Sequence, residues 1–153
     1  MQAKVTRTGF ALALLLTSGA LAVDYVRLSP SEFAADLQQA SRLLDQHDYA
    51  SAIDLLEMLV ADEPDDATAL SLMGYALRKS GEPERAERFY SRALAADPHH
   101  LGALQYLGEL YVEQGQLDLA RDQLRLLVTL CAADCAGRDA LAAALLQKLK
   151  PRR

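Results

Sequence analysis

Apolar and polar positions along this chain recur on two scales. Leu70, Met73, Gly74 and Leu77 are spaced i, i+3, i+4, i+7, so they fall on one face of a 3.6-residue helix and form a stripe that must be buried. The same stripe returns after 34 residues as Leu104, Leu107, Gly108 and Tyr111. Three blocks starting at Phe33, Ala67 and Leu101 superimpose without insertion or deletion, each predicting a pair of antiparallel helices. Offset 8 is small in every block (Ala40, Gly74, Gly108), and so is offset 20 (Ala52, Ala86, Ala120). Small residues there let two helices approach closely, while larger ones at offsets 7, 11 and 24 fill the remaining space. One such hairpin cannot cover its own stripe; stacked neighbours can.

The breaks in the pattern agree. Gly81 and Gly115 stand at offset 15, where the first helix of a pair should stop, and Pro83 occupies a first helical position. Pro64 and Pro98 end the second helices, and Ser29-Pro30-Ser31-Glu32 has the spacing of a capping box that starts the array. Residues 23–30 read as a linker and 31–134 as repeats, in blocks 33–66, 67–100 and 101–134. The first block departs most, with Asp36 and Gln39 where apolar groups are expected; a terminal copy lacks a neighbour on one side, and the alternative is an array that starts at Ala67. Within 135–153, Arg138–Leu149 carries Leu141, Leu145, Leu146 and Leu149 and is expected to cap the last repeat, a membrane-surface helix being the alternative. The residues at these offsets resemble tetratricopeptide repeats across 33–134. That resemblance implies an all-α fold: a right-handed superhelical array of three helical hairpins with a C-terminal capping helix.

Ahead of the blocks, Lys4 and Arg7 precede the mainly apolar stretch Phe10–Ala22, which closes on Ala20-Leu21-Ala22 before Asp24. A positive start, a short apolar core and small residues before the cut are the marks of a secretory signal, with cleavage expected after Ala22. A membrane span takes about 20 apolar residues, more than this stretch offers. Retention as an anchor and burial as an ordinary helix are the alternatives. The mature chain is accordingly expected in the periplasm or outside the cell, without stable membrane insertion.

Composition narrows the function classes. At 51% apolar and 24% charged residues, with two cysteines, the chain is neither a disordered tail nor a disulfide-dense miniprotein. Its net charge of −5, made more negative by loss of Lys4 and Arg7, gives no overall field that favours nucleic acid. The charge is uneven: Arg42 is the one basic residue between Ser31 and Leu77, whereas Arg78, Lys79, Arg85, Arg88 and Arg92 cluster next. A solvated exterior explains this at least as well as steering.

Cys131 and Cys135 are the only cysteines and sit at the turn before the terminal helix. In an oxidising compartment they are expected to pair as a local staple, contributing roughly 2 kcal/mol on loop entropy. A redox-active pair, metal capture with His99 or His100, and free thiols are the alternatives; the spacing is not C-x-x-C. His47, His99 and His100 fall in turns and read as solvated.

The resemblance also implies a concave groove lined by offsets 2, 5, 9, 12 and 13 of each first helix. Here these are Ala34, Leu37, Ser41, Leu44 and Asp45; Thr68, Ser71, Tyr75, Arg78 and Lys79; and Gly102, Gln105, Glu109, Val112 and Glu113. The lining is apolar first, basic in the middle and acidic at the end, and none of these residues is expected to be needed for the buried stripe. A peptide segment of an envelope or secreted protein is the expected partner. The Lys/Asn/Arg clamp by which some members of the family grip a chaperone's terminal carboxylates is missing at Leu37, Ser41, Ser71, Tyr75, Gln105 and Glu109. No phosphate loop, H-E-x-x-H or G-x-S-x-G occurs, so neither catalysis nor a cofactor nor a metal is expected. The rival reading is a metal- or thiol-handling assembly factor using Cys131 and Cys135, with the repeats as a docking surface. Self-association through the apolar part of the first helix, at Leu37, is a third.

Overall fold

The computed structural model describes residues 27–131 and 135–150; the expected signal segment lies outside them. The described residues form helices α1 (Pro30–Asp45), α2 (Tyr49–Asp62), α3 (Ala67–Lys79), α4 (Pro83–Ala96), α5 (Leu101–Gln114), α6 (Leu117–Leu130) and α7 (Ala136–Leu149), with no strand among them. α1, α3, α5 and α7 lie side by side as an inner row, and α2, α4 and α6 pack behind them. This is the all-α superhelical array expected from the repeats.

The 34-residue step survives into the backbone. The outer helices α2, α4 and α6 each have 14 residues and begin after Asp48, Glu82 and Gln116, one step apart. Ser29 makes the full capping box with Glu32, and Asp66 accepts from the Ala69 amide at 2.7 Å. His100 caps α5 through Nδ1, which accepts from the Ala103 amide at 3.1 Å, so this ring organises a helix start rather than merely standing in solvent. Between the paired helices, offset 15 is left-handed each time: Gly81 at φ 84°, Gly115 at φ 79° and His47 at φ 61°. His47 holds that conformation with its Nδ1 2.9 Å from the Tyr49 hydroxyl.

The core runs through the whole array, from Ala40 and Leu44 to Leu141 and Leu145. Its tightest points are the offset-8 glycines. A Cβ on Gly74 would stand 2.5 Å from Tyr90 Cε1, and one on Gly108 2.4 Å from Leu141 Cδ2. Leu141 and Leu145 fall at offsets 7 and 11 of a fourth block counted from Cys135, so α7 is the first helix of a further half-repeat. It buries Leu141 and Leu145 against the array, whereas Leu146 and Leu149 stay exposed. The end of the expected linker is docked too. Arg27 Nη2 donates to the Asp62 carbonyl and to Glu63 Oε1, both at 2.9 Å, and Leu28 packs on the core. The Sγ atoms of Cys131 and Cys135 lie 2.04 Å apart, at bonding distance, between α6 and α7.

Two glycine substitutions separate packing from backbone strain. Gly74→Val drives methyl groups into the buried Tyr90 ring and should cost about 3 kcal/mol in urea unfolding. Gly115→Ala has nothing within 4 Å of the new methyl and should cost about 1 kcal/mol, from the left-handed backbone alone. Equal losses at the two sites would contradict this division.

Candidate functional site

The inner row carries most of the groove residues, but the structure divides them into surface and packing. Tyr75 is half-buried on α3, with its ring centroid 4.9 Å from that of Tyr106 on α5. The Arg78 guanidinium carbon lies 5.5 Å from the Tyr75 ring centroid and 6.0 Å from that of Tyr106, while Lys79 Nζ approaches Tyr75 to 5.4 Å. Arg78 then reaches across to α5: Nη2 donates to Glu109 Oε2 at 2.8 Å and Nη1 to Glu113 Oε1 at 3.0 Å. Gln105 Nε2 donates to the other Glu109 oxygen at 2.9 Å. The two rings and the fork of three charges therefore form one cluster that bridges neighbouring repeats.

Burial changes what each of these groups offers. Arg78 is only 8% exposed, so its charge is spent inside the protein. Burial opposes that charge, yet Tyr90, Glu109 and Glu113 outweigh it and hold the guanidinium above its ordinary pKa. The expected basic middle of the groove reduces to Lys79, which is exposed. Leu44 (5% exposed) and Val112 (6%) lie in the core, contrary to the expectation that no groove offset is needed for packing. The reason is the next inner helix. Offset 12 points toward it, as Arg78 does toward α5, and an apolar side chain there becomes interior.

Ser71 is 1% exposed and its Oγ has no hydrogen-bond partner, so it too belongs to the packing. Ser41 donates to the Leu37 carbonyl at 3.1 Å, and Leu37 is half-buried against the core. Of the groove offsets, Ala34, Asp45, Thr68, Lys79 and Glu113 are exposed, and Leu37, Ser41, Tyr75, Gln105 and Glu109 are half-buried.

Two contributors lie outside the offsets assigned from sequence. Tyr106 stands at offset 6 and enters because Tyr75 draws it alongside. α7 supplies Gln147 and Lys148, which with Glu109, Val112 and Glu113 line a cleft of about 440 Å³ at the end of the groove. Continuing the 34-residue count past residue 134 would have placed that helix in the lining. Among the described residues no cluster of three His, Cys, Asp or Glu could hold a metal ion. No helix among them is long and apolar enough to cross a membrane.

The aromatic groups carry a pH signature. Burial raises the hydroxyls of Tyr75, Tyr90 and Tyr106 above the ordinary phenol range. Burial together with Glu87, which accepts from the Tyr111 hydroxyl at 3.2 Å, lifts Tyr111 to about 12. In the unfolded chain these protons leave near pH 10, earlier than in the native state, so the native state holds more protons above that pH. Stability should be unaffected by these groups below about pH 10 and fall as pH rises toward 12. Urea midpoints across that range should drop, and less steeply in Tyr111→Phe; an identical slope in the variant would contradict the assignment.

The ion cluster makes a second expectation. Arg78→Met leaves two carboxylates facing each other and should cost about 2 kcal/mol in urea unfolding, a figure kept low because both carboxylates reach solvent. Adding Glu109→Gln and Glu113→Gln should recover most of it. A triple variant as weak as the single one would show that the loss comes from packing.

The family described as tetratricopeptide repeat matches residues 37–100 and, in a second form, residues 77–149, which extends into α7. Over 93 residues, 61% of this chain, the sequence is 37% identical to cellulose synthase operon protein C of Xanthomonas axonopodis pv. citri (strain 306); the match spans 6% of that protein's length. The Sgt2 TPR domain from Aspergillus fumigatus is similar with a TM-score of 0.69 at 20% identity, over 80% of this chain and 79% of that one. The Yersinia enterocolitica type III secretion chaperone SycD, solved with a peptide of the translocator YopD, has a TM-score of 0.67 at 17% identity, over 78% of this chain and 94% of its own. At such identities the two structures speak for the fold. With the repeat step kept from α2 to α6 and family matches running from residue 37 to 149, the chain belongs to the tetratricopeptide repeat family.

Proposed function

We propose that this protein is an exported scaffold whose inner groove holds a peptide segment of another envelope or secreted protein. The repeat architecture itself supports protein–protein interaction. The observation that carries the finer reading is the accessible cluster on α3 and α5. Tyr75 and Tyr106 lie against one another at the groove floor, with Lys79 on one flank and Glu109 and Glu113 on the other. Packing alone does not call for an exposed cation beside two half-buried phenols. Such a floor suits an extended or helical segment with an apolar or aromatic anchor flanked by charges of both signs.

SycD, a structural relative, is known with a translocator peptide, which favours a peptide as the guest here as well. Export rests on the residue pattern before Val23, and the pairing of Cys131 with Cys135 fits an oxidising compartment. In this reading the two cysteines tie α7 to the array and carry no redox or metal chemistry. The protein acts by holding, not by catalysis.

A photocrosslinker at Lys79, used in the intact envelope, should capture a defined partner. The same partner should be absent when the crosslinker stands at Arg88 on the outer helix α4. Capture should fall at least about tenfold in Tyr75→Ala, whose lost ring is worth on the order of 1.4 kcal/mol or more. Equal capture from both positions, or capture unaffected by Tyr75→Ala, would remove the groove from the proposal.

A further inference from the structure

The inner helices end along one rim of the groove, and the charge at each end differs from one to the next. α3 ends on Arg78 and Lys79, whose positive charges suit the negative pole of a helix C-terminus. α5 carries Glu113 in its last turn, against that rule, and Arg78 Nη1 answers it at 3.0 Å. α7 has Lys148 in its last turn. α1 ends on Asp45, and nothing answers it. This carboxylate is exposed and makes no hydrogen bond or ion pair among the described residues. Arg42, the one lysine or arginine of the first hairpin, instead donates through Nε and Nη2 to Gln39 Oε1 at 3.1 and 2.8 Å. An unanswered acid at this end of a helix works against stability, so the fold gains nothing from it.

What faces Asp45 is aromatic. Tyr75 and Tyr106 stand with ring centroids 4.9 Å apart, and the Asp45 charge acts on the hydroxyls of both. Tyr49, the first residue of α2, adds a third phenol: its hydroxyl is 2.9 Å from His47 Nδ1, and it acts electrostatically on that of Tyr75. The faces of such rings attract cations. The chain's own cations already show this, with Arg78 5.5 Å from the Tyr75 centroid and Lys79 Nζ 5.4 Å from it. Arg78 is committed to its two glutamates. Lys79 is exposed and makes no ion pair or hydrogen bond among the described residues, so it can swing away from the ring.

We propose that Asp45, with the phenols of Tyr49, Tyr75 and Tyr106, seats a lysine or arginine side chain of the guest segment. The inference rests on the groove reading above and adds the charge that the guest must carry. A carboxylate beside ring faces holds a cation twice over, by ion pairing and by the ring quadrupole. An acidic anchor over the same rings would meet Asp45 and Glu109. The rim also orders the guest. Lys79 stands one inner helix beyond Asp45, a step of roughly 10 Å that an extended chain covers in about three residues. A base over Asp45 and an acid about three residues away over Lys79 match the two uncommitted charges of α1 and α3.

Selection from a display library of random peptides reads the guest's charge without the natural partner. A length of about 12 residues lets an extended peptide cross the four inner helices. Peptides enriched on the full chain, and lost on a Tyr75→Ala variant that keeps its helical circular dichroism, should share a lysine or arginine at one aligned position. Selection on Asp45→Lys should exchange that base for aspartate or glutamate. For one enriched peptide, Asp45→Asn should raise Kd at least about tenfold, and glutamate in place of the peptide's base should bring its Kd for Asp45→Lys to within about threefold of the original. The urea midpoint of Asp45→Asn should hold or rise, because the end of α1 is relieved of a misplaced charge. Tyr75-dependent peptides without an aligned base, or with a base that Asp45→Lys retains, overturn this proposal and leave the groove standing. A lowered urea midpoint together with lost binding assigns Asp45 to the fold and overturns it as well. No enrichment, or enrichment indifferent to Tyr75→Ala, overturns both readings.

Discussion

Two helices close to the distance these repeats need only if the residue at the crossing is small, and at Gly74, beneath the ring of Tyr90, the side chain is given up altogether. The missing Cβ seats a fully buried tyrosine, whose ring centroid lies 6.2 Å from that of Tyr106. Gly108 plays the same part for Leu141, with a difference: its partner belongs to α7, across a repeat boundary. One device therefore closes a hairpin at one place and attaches the cap at another. Because every helix touches only its neighbours, stability is built step by step along the row, and the middle repeat, covered on both sides, is the best-buried part.

The groove inherits its chemistry from this stacking. Arg78 extends from α3 to two carboxylates on α5 one turn apart, which fixes how far one inner helix slides along the next. A buried fork of this kind is a poor source of net stability but a good source of uniqueness, since a slipped arrangement would strand the guanidinium without acceptors. The tyrosine pair sits at the same junction. In the proposed reading, a guest would touch residues whose positions are set by contacts between repeats, and its grip would depend on the pitch of the array.

Sequence spacing is a good guide wherever one helix alone decides the outcome. The helix stops at Gly81 and Gly115, the proline starts and the capping box at Ser29 all follow from backbone chemistry that acts within a few residues. The spacing also marks Gly74 and Gly108, because a small residue that recurs within a stripe of large ones points to a close helix crossing. It is a poor guide to exposure at the groove. Leu44, Val112 and Ser71 occupy offsets assigned to solvent, and whether such a position is covered depends on the girth of the side chains on the following helix. Arg78 resembles surface charge in sequence because arginine usually is; its two glutamates lie 31 and 35 residues away, one repeat further on. Tyr106 is hidden from the spacing for the same reason. His100 reads as turn filler in sequence and is a helix cap in space, a role that its offset shares with Asp66.

Arg27 gives the array an unsymmetrical handle. Its guanidinium grips the tail of α2, not the helix that follows it in the chain. Both side chains of this clasp are largely exposed, so it adds little stability; what it does is lay the segment leading into α1 beside the end of α2, where Leu28 closes over the core.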